Sequence, residues 1–203
     1  GIKPLITSII NRTKEDYGIS YEPSEIVVGT GAKFILYTLF QTILNEADEV
    51  IIPVPYWVSY ASQVELAEGK PVFVEGQEDN GFKVSVEDLE KARTSKTKAF
   101  ILNSPCNPTG AIYSPQELEK IGNWAVKHNI LIVADDIYGK LVYNGNVFTP
   151  IATLSEDIKK NTIVINGVSK SYAMTGWRIG YAMGDSKIIS QMTKIASQAT
   201  SNP

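Results

Sequence analysis

The sequence predicts an α/β fold, a mostly parallel (mixed) seven-stranded sheet sandwiched by helices. Seven short apolar runs alternate with segments of helical periodicity. The runs are Val- and Ile-rich rather than strictly alternating, which is the pattern of strands buried on both faces. Capping and turn residues stand at several of the boundaries.

The strands are expected, in order, at Ile26 to Val28, Glu49 to Val54, Pro71 to Val74, Ala99 to Leu102, Ile130 to Ala134, Thr162 to Ile165 and Ile179 to Met183. Between most of them lie helical patterns at Lys33 to Glu46, Trp57 to Ala67, Val86 to Arg93, Gln116 to His128 and Lys187 to Ser197. In the last, Ile188, Ile189, Met192, Ile195 and Ala196 form one apolar stripe. Ser114-Pro115-Gln116-Glu117 sets a cap, a first-turn proline and a capping-box glutamate in register, and Ser85 to Asp88 is a weaker version. Asn80-Gly81 and Asn144-Gly145 are turn signals. No internal repeat or linker is visible, so the chain reads as one domain.

The 203 residues are 43% hydrophobic and 20% charged, enough for a sizeable core. Nineteen basic against 22 acidic residues give a net charge of −3 with no dense basic run, which argues against a nucleic-acid partner. The longest uncharged stretches carry prolines and polar residues, so no membrane span is expected. Lys3, Arg12 and Lys14 interrupt the first apolar segment, so no signal peptide is read. With a single cysteine, Cys106, the expected location is the cytoplasm. A start at Gly1 and a stop at Pro203 suggest a fragment.

In a parallel α/β sheet, ligands sit at the carboxyl ends of strands, so the polar residues after each run matter most. Gly29-Thr30-Gly31-Ala32-Lys33 follows the first run and opens a helix, as a phosphate cradle or as a purely structural turn. It has neither the Walker spacing nor G-x-G-x-x-G. Pro55-Tyr56-Trp57 offers an indole for stacking or for packing the next helix. Asn103 to Gly110 is a proline-rich turn that fixes an amide such as Asn107, with Cys106 as small filler. Asp135 and Asp136 end the fifth strand on opposite faces, so at most one faces a given site. One of them suits a protonated ring nitrogen; the alternative is two solvated or capping carboxylates. Lys170 follows the sixth strand, where desolvation or a nearby cation would free its amine for Schiff-base chemistry. Arg178, eight residues on, suits bidentate phosphate binding.

The ordered set Gly31-Ala32-Lys33, Tyr56-Trp57, Asn107-Pro108-Thr109-Gly110, Asp135-Asp136-Ile137-Tyr138, Ser169-Lys170 and Met174-Thr175-Gly176-Trp177-Arg178 resembles the class I/II aminotransferases. These are fold-type I pyridoxal-phosphate enzymes, and the wording is most like the bacterial aspartate (aspartate/prephenate) aminotransferases. The resemblance covers essentially the whole chain. It implies the large domain of such an enzyme over residues 1–203, with pyridoxal 5'-phosphate as cofactor and no metal.

By that resemblance Lys170 would form the internal aldimine and shuttle the substrate proton, while Asp135 would pair with the ring nitrogen. Asn107 and Tyr138 would bond the ring hydroxyl oxygen, and Trp57 would stack on the ring. Gly31, Ala32, Ser169 and Arg178 would hold the phosphate. The catalytic set is therefore Lys170, Asp135 and Tyr138. Lys33, Trp57 and Asn107 would face the substrate, Lys33 through a distal carboxylate.

The implied reaction is transamination between an L-amino acid, aspartate first, and 2-oxoglutarate. The family is dimeric, and Thr200-Ser201-Asn202 resembles a loop that approaches the neighbouring subunit's site. The family's α-carboxylate arginine has no counterpart, because the only arginines are Arg12, Arg93 and Arg178. The N-terminal arm and small C-terminal domain are also missing, so turnover by this chain alone is not expected. Two alternatives remain: a carbon–sulfur lyase or synthase on the same scaffold, and the cofactor-sensing domain of a transcription regulator. His128 reads as a helix-end residue, and Tyr37, Tyr60 and Tyr143 as packing.

Overall fold

The computed structural model describes residues 1–201, so Asn202 of the expected subunit-facing loop lies outside the described residues. Seven strands form one sheet: β1 (Ile26–Thr30), β2 (Glu49–Val54), β3 (Lys70–Glu75), β4 (Thr97–Asn103), β5 (Leu131–Asp135), β6 (Thr162–Gly167) and β7 (Ile179–Met183). Their order is β1-β7-β6-β5-β4-β2-β3. All neighbours are parallel except that β7 runs antiparallel to both β1 and β6.

The five expected helices are present as α2 (Ala32–Ile43), α3 (Ser59–Leu66), α4 (Val86–Ala92), α5 (Pro115–His128) and α7 (Ser186–Ala199). Two more were not in the sequence-based set, α1 (Lys3–Tyr17) and the five-residue α6 (Glu156–Lys160). Both capping boxes form, Ser85 with Asp88 and Ser114 with Glu117. Gly81, Asn144 and Gly145 all take positive φ, as their turn signals require, although neither turn closes a β-hairpin.

Alternation along the strands splits the core into layers. Val50, Ile52, Ala99, Ile101 and Val133 face Leu36, Leu39 and Phe40 of α2, Val64 of α3 and Met192 of α7. Ile51, Phe100, Leu102 and Ile132 face the other way, onto Leu89 of α4, Leu118 and Ile121 of α5 and Ile158 of α6. Leu36, Leu39, Phe40 and Met192 have no solvent exposure, and truncating one such side chain to Ala costs ~2–5 kcal/mol. A third layer forms where Ile9 of α1 packs with Tyr21, Ile26, Val28, Val164 and Met183.

Helix α3 starts at Ser59 rather than Trp57. The Trp57 carbonyl accepts from the Tyr60 amide at 3.0 Å, so the indole sits in the entering turn. The reversed direction of β7 puts its first residue at the end of the sheet where β4, β5 and β6 finish. That end carries the site.

Candidate active site

A cavity of about 330 Å³ opens at the carboxyl ends of the parallel strands, within the size range of pockets that enclose small ligands. It gathers side chains from six separate segments of the chain. From the N-terminus of α2 come Ala32 and Lys33; from the turn before α3 and from α3 itself come Trp57 and Tyr60. The loop after β4 supplies Asn107, and the end of β5 supplies Asp135 and Tyr138. Ser169 and Lys170 follow β6, and Arg178 precedes β7.

Gly31 caps α2 with φ +88°, a conformation that L residues with a side chain rarely adopt. A Cβ there would collide with the Arg178 guanidinium. Gly180 closes the same corner, since a Cβ on it would strike the backbone of Gly31 and Ala32. The guanidinium donates to the carbonyls of Thr175 at 2.9 Å and Thr30 at 3.4 Å. The guanidinium and the first amides of α2 thus converge on one spot, as an anion site requires.

Asp135 is a buried carboxylate on the cavity wall, 3% exposed. Its carboxylate accepts from the Tyr60 hydroxyl at 2.6 Å and from the Ile137 amide at 3.3 Å. Among the described residues no lysine or arginine forms an ion pair with it. Burial raises its pKa to about 6 despite those two bonds, which pull the other way. Tyr60 is held well above its ordinary value by burial and by the Asp135 charge, so it remains a donor. Asp136, on the opposite face, is equally buried and faces away from this cavity. The alternative of two solvated or capping carboxylates is thereby excluded.

Asn103 sits opposite Asp135 in the β4–β5 register. Its amide donates to the Asp135 carbonyl at 2.9 Å and its oxygen accepts from the Asn107 amide nitrogen at 2.8 Å. That clamps the β4 loop to the end of β5. The Asn107 side chain in turn donates to the Tyr138 hydroxyl at 3.4 Å. Burial is the main cause raising the Tyr138 pKa. Lys33 Nζ lies 5.1 Å from the Trp57 ring centroid, and Tyr60 meets that indole edge-on.

Two readings from sequence need correction. Tyr60 is not mere packing: it is the hydrogen-bond partner of Asp135. Its spacing of three residues from Trp57, which brings the two rings together across the turn into α3, was the available signal. Lys170 is exposed rather than desolvated, because it lies in the turn beyond β6 on the open side of the cavity. Asn103 was quoted in its loop without a role; its register opposite Asp135 gives it one. Arg12 pairs with Glu15 and Asp16, and Arg93 with Glu90, and neither lines the cavity. His128 ends α5 as expected, 3.4 Å from Glu90. No described helix is long and apolar enough to cross a membrane.

Comparison with known proteins gives a consistent picture. The family model described as aminotransferase class I and II matches residues 1–203. The chain is 62% identical over 202 residues to the asparagine–oxo-acid transaminase of Streptococcus mutans, covering all of this chain and 51% of that protein. It is 58% identical over 203 residues to the aspartate aminotransferase of Bacillus subtilis, covering 52% of it. The crystal structure of the aspartate aminotransferase from Rhizobium meliloti superposes on the whole chain with a TM-score of 0.97 at 43% identity, over 51% of its own length. The chain spans about half the length of the curated relatives it matches.

Proposed function

Because the chain belongs to the class I and II aminotransferases, we propose that it is the large, cofactor-binding domain of a pyridoxal-phosphate-dependent aminotransferase acting on aspartate, with 2-oxoglutarate as acceptor. The carrying observation is Asp135, a buried carboxylate facing the cavity with neutral partners only. Buried charges are ordinarily paired, and a protonated ring nitrogen is the cation that this position fits.

The other donors suit the same ligand. Gly31, Ala32, Ser169 and Arg178 would hold its phosphate, Trp57 its ring face, and Asn107 with Tyr138 its ring oxygen. Bound pyridoxal phosphate supplies an electrophilic aldehyde and a ring that draws electrons from the Cα of an amino acid. Asp135 keeps the ring nitrogen protonated by accepting its hydrogen bond. Tyr138 and Asn107 orient the ring oxygen, and Lys170 is the amine that takes and returns the Cα proton. Lys33, above Trp57, would meet the distal carboxylate of the substrate.

The arginine for the α-carboxylate would come from the rest of the protein, which we propose works as a homodimer in the cytoplasm. The transaminase names of the relatives favour transamination over carbon–sulfur cleavage or a regulatory role. The name of the Streptococcus mutans relative favours a second reading, in which asparagine is the amino donor. The test is an absorbance titration with pyridoxal phosphate, then borohydride reduction and peptide mapping. A reduced adduct on Lys170 is expected; an adduct on another lysine would refute the assignment. Rates with aspartate and asparagine, each with 2-oxoglutarate, separate the two substrate readings.

A further inference from the structure

Behind the candidate site lies a second, smaller cavity of about 30 Å³, between α1 and the ends of β5 and β6. Two of the loops that build the front cavity also build this one. The β5 loop sends Asp135 and Tyr138 forward and Asp136 and Lys140 back; the β6 loop sends Lys170 forward and Ser171 back. The Ser171 hydroxyl joins the loops by donating to the Ile137 carbonyl at 3.4 Å.

The back cavity holds unanswered polar groups. Asp136 is 4% exposed, and no described residue donates a hydrogen bond to its carboxyl group. The Tyr21 hydroxyl is fully buried without a partner. Tyr17 and Tyr181 line the same space, close enough to sense the Asp136 charge. The cations at its wall pair with a different carboxylate of the same wall, since Arg12 and Lys140 both bond Asp16, at 3.1 and 2.5 Å. An unpaired buried carboxyl and an unpaired buried hydroxyl are each costly. A water molecule needs about 10–15 Å³ and two to four polar partners, and this cavity provides both.

We propose that the cavity is a hydration site, in which ordered water bridges the Asp136 carboxyl to the Tyr21 hydroxyl and so buttresses, from behind, the two loops that present Asp135 and Lys170. Burial and the neighbouring Asp135 push the Asp136 pKa up, and its carboxyl offers the water an acceptor in either ionisation state. The inference rests on the geometry of this chain and survives if the proposed substrate is wrong.

The sign of one conservative substitution tests it. If the Tyr21 hydroxyl bonds to water, Tyr21→Phe in the whole protein lowers the melting temperature by about 2–4 °C. If the cavity is dry, the same change removes an unsatisfied hydroxyl and the melting temperature rises, which overturns the proposal. A crystal structure at a resolution showing ordered water should place one within hydrogen-bonding distance of Asp136 and Tyr21; an empty cavity overturns it. Amide exchange reads the buttress: Tyr21→Phe should speed exchange in residues 136–139 and 167–172 and leave α5 unchanged. Unchanged exchange in both loops would overturn the buttressing role even with water present.

Discussion

The Tyr60 hydroxyl stands 2.6 Å from Oδ2 of Asp135, and each group holds the other in its working state. Burial pushes both pKa values up. The tyrosine, far from ionising, keeps its proton and donates a hydrogen bond through it, and that donation favours the charged form of the acid. A phenol from α3 thus sets the ionisation of a carboxylate at the end of β5.

Tyr60→Phe should therefore raise the Asp135 pKa above its present value of about 6 and weaken pyridoxal phosphate binding near neutral pH. A lost hydrogen bond to a charged group corresponds to roughly tenfold or more in affinity. Absorbance titration across pH measures both effects, and an unchanged affinity would contradict the coupling.

Cofactor-free protein should lose stability as pH rises from about 4 to about 6. The folded-state pKa of Asp135 is raised from 3.8 to about 6, so the folded form binds the proton more tightly and its advantage disappears as the proton leaves. The shift corresponds to on the order of 3 kcal/mol, and Asp136 acts in the same direction. Urea denaturation through this window should show the slope, and Asp135→Asn should reduce it.

Gly31→Ala combines a positive φ with a Cβ aimed at the Arg178 guanidinium. We expect a loss of about 1–2 kcal/mol from the backbone alone. Binding of pyridoxal phosphate should fall further than stability does, because Arg178 is displaced as well. Thermal melts and a cofactor titration on the same variant separate the two losses.

Arg178→Lys keeps the charge and removes the planar fork. Affinity for pyridoxal phosphate should drop by roughly tenfold, while affinity for pyridoxal, which lacks the phosphate, should not change. Equal losses for both compounds would show that Arg178 shapes the whole site rather than holding a phosphate.

Lys33→Met removes the ammonium above Trp57. The KM for aspartate should rise several-fold with little change for a monocarboxylic amino acid, since a rim charge in water is worth about 1 kcal/mol. A matching rise for both substrates would remove Lys33 from the distal-carboxylate role.

Much of this was legible in the sequence because the strands are apolar on both faces and the site residues follow them directly. Helix α1 escaped, although Leu5, Ile6, Ile9 and Ile10 keep helical spacing, because it precedes the first strand and stands outside the strand–helix alternation. Helix α6 is too short for periodicity to register. Asp135 could be placed on a strand end, yet its partner could not. Tyr60 reaches it across 75 positions of sequence, a pairing that only the stacking of α3 against the sheet creates. The exposure of Lys170 was missed for a related reason: strand burial ends at Gly167, and the turn after it leaves the core.

The antiparallel run of β7 has a consequence for how this enzyme class tolerates change. A five-residue strand spans about 17 Å, so a parallel β7 would carry Arg178 to the far end of the sheet. Because β7 is reversed, the amine of Lys170 and the guanidinium of Arg178 are joined by one short connection that holds a single 3₁₀ turn, Thr175–Trp177, and no α-helix in which slack could be absorbed. That connection works as a ruler. Its length sets the distance between the proposed covalent anchor and the proposed phosphate anchor, so an inserted or deleted residue between 170 and 178 would mis-space them, whereas the solvent-facing turn near Gly145 could grow freely.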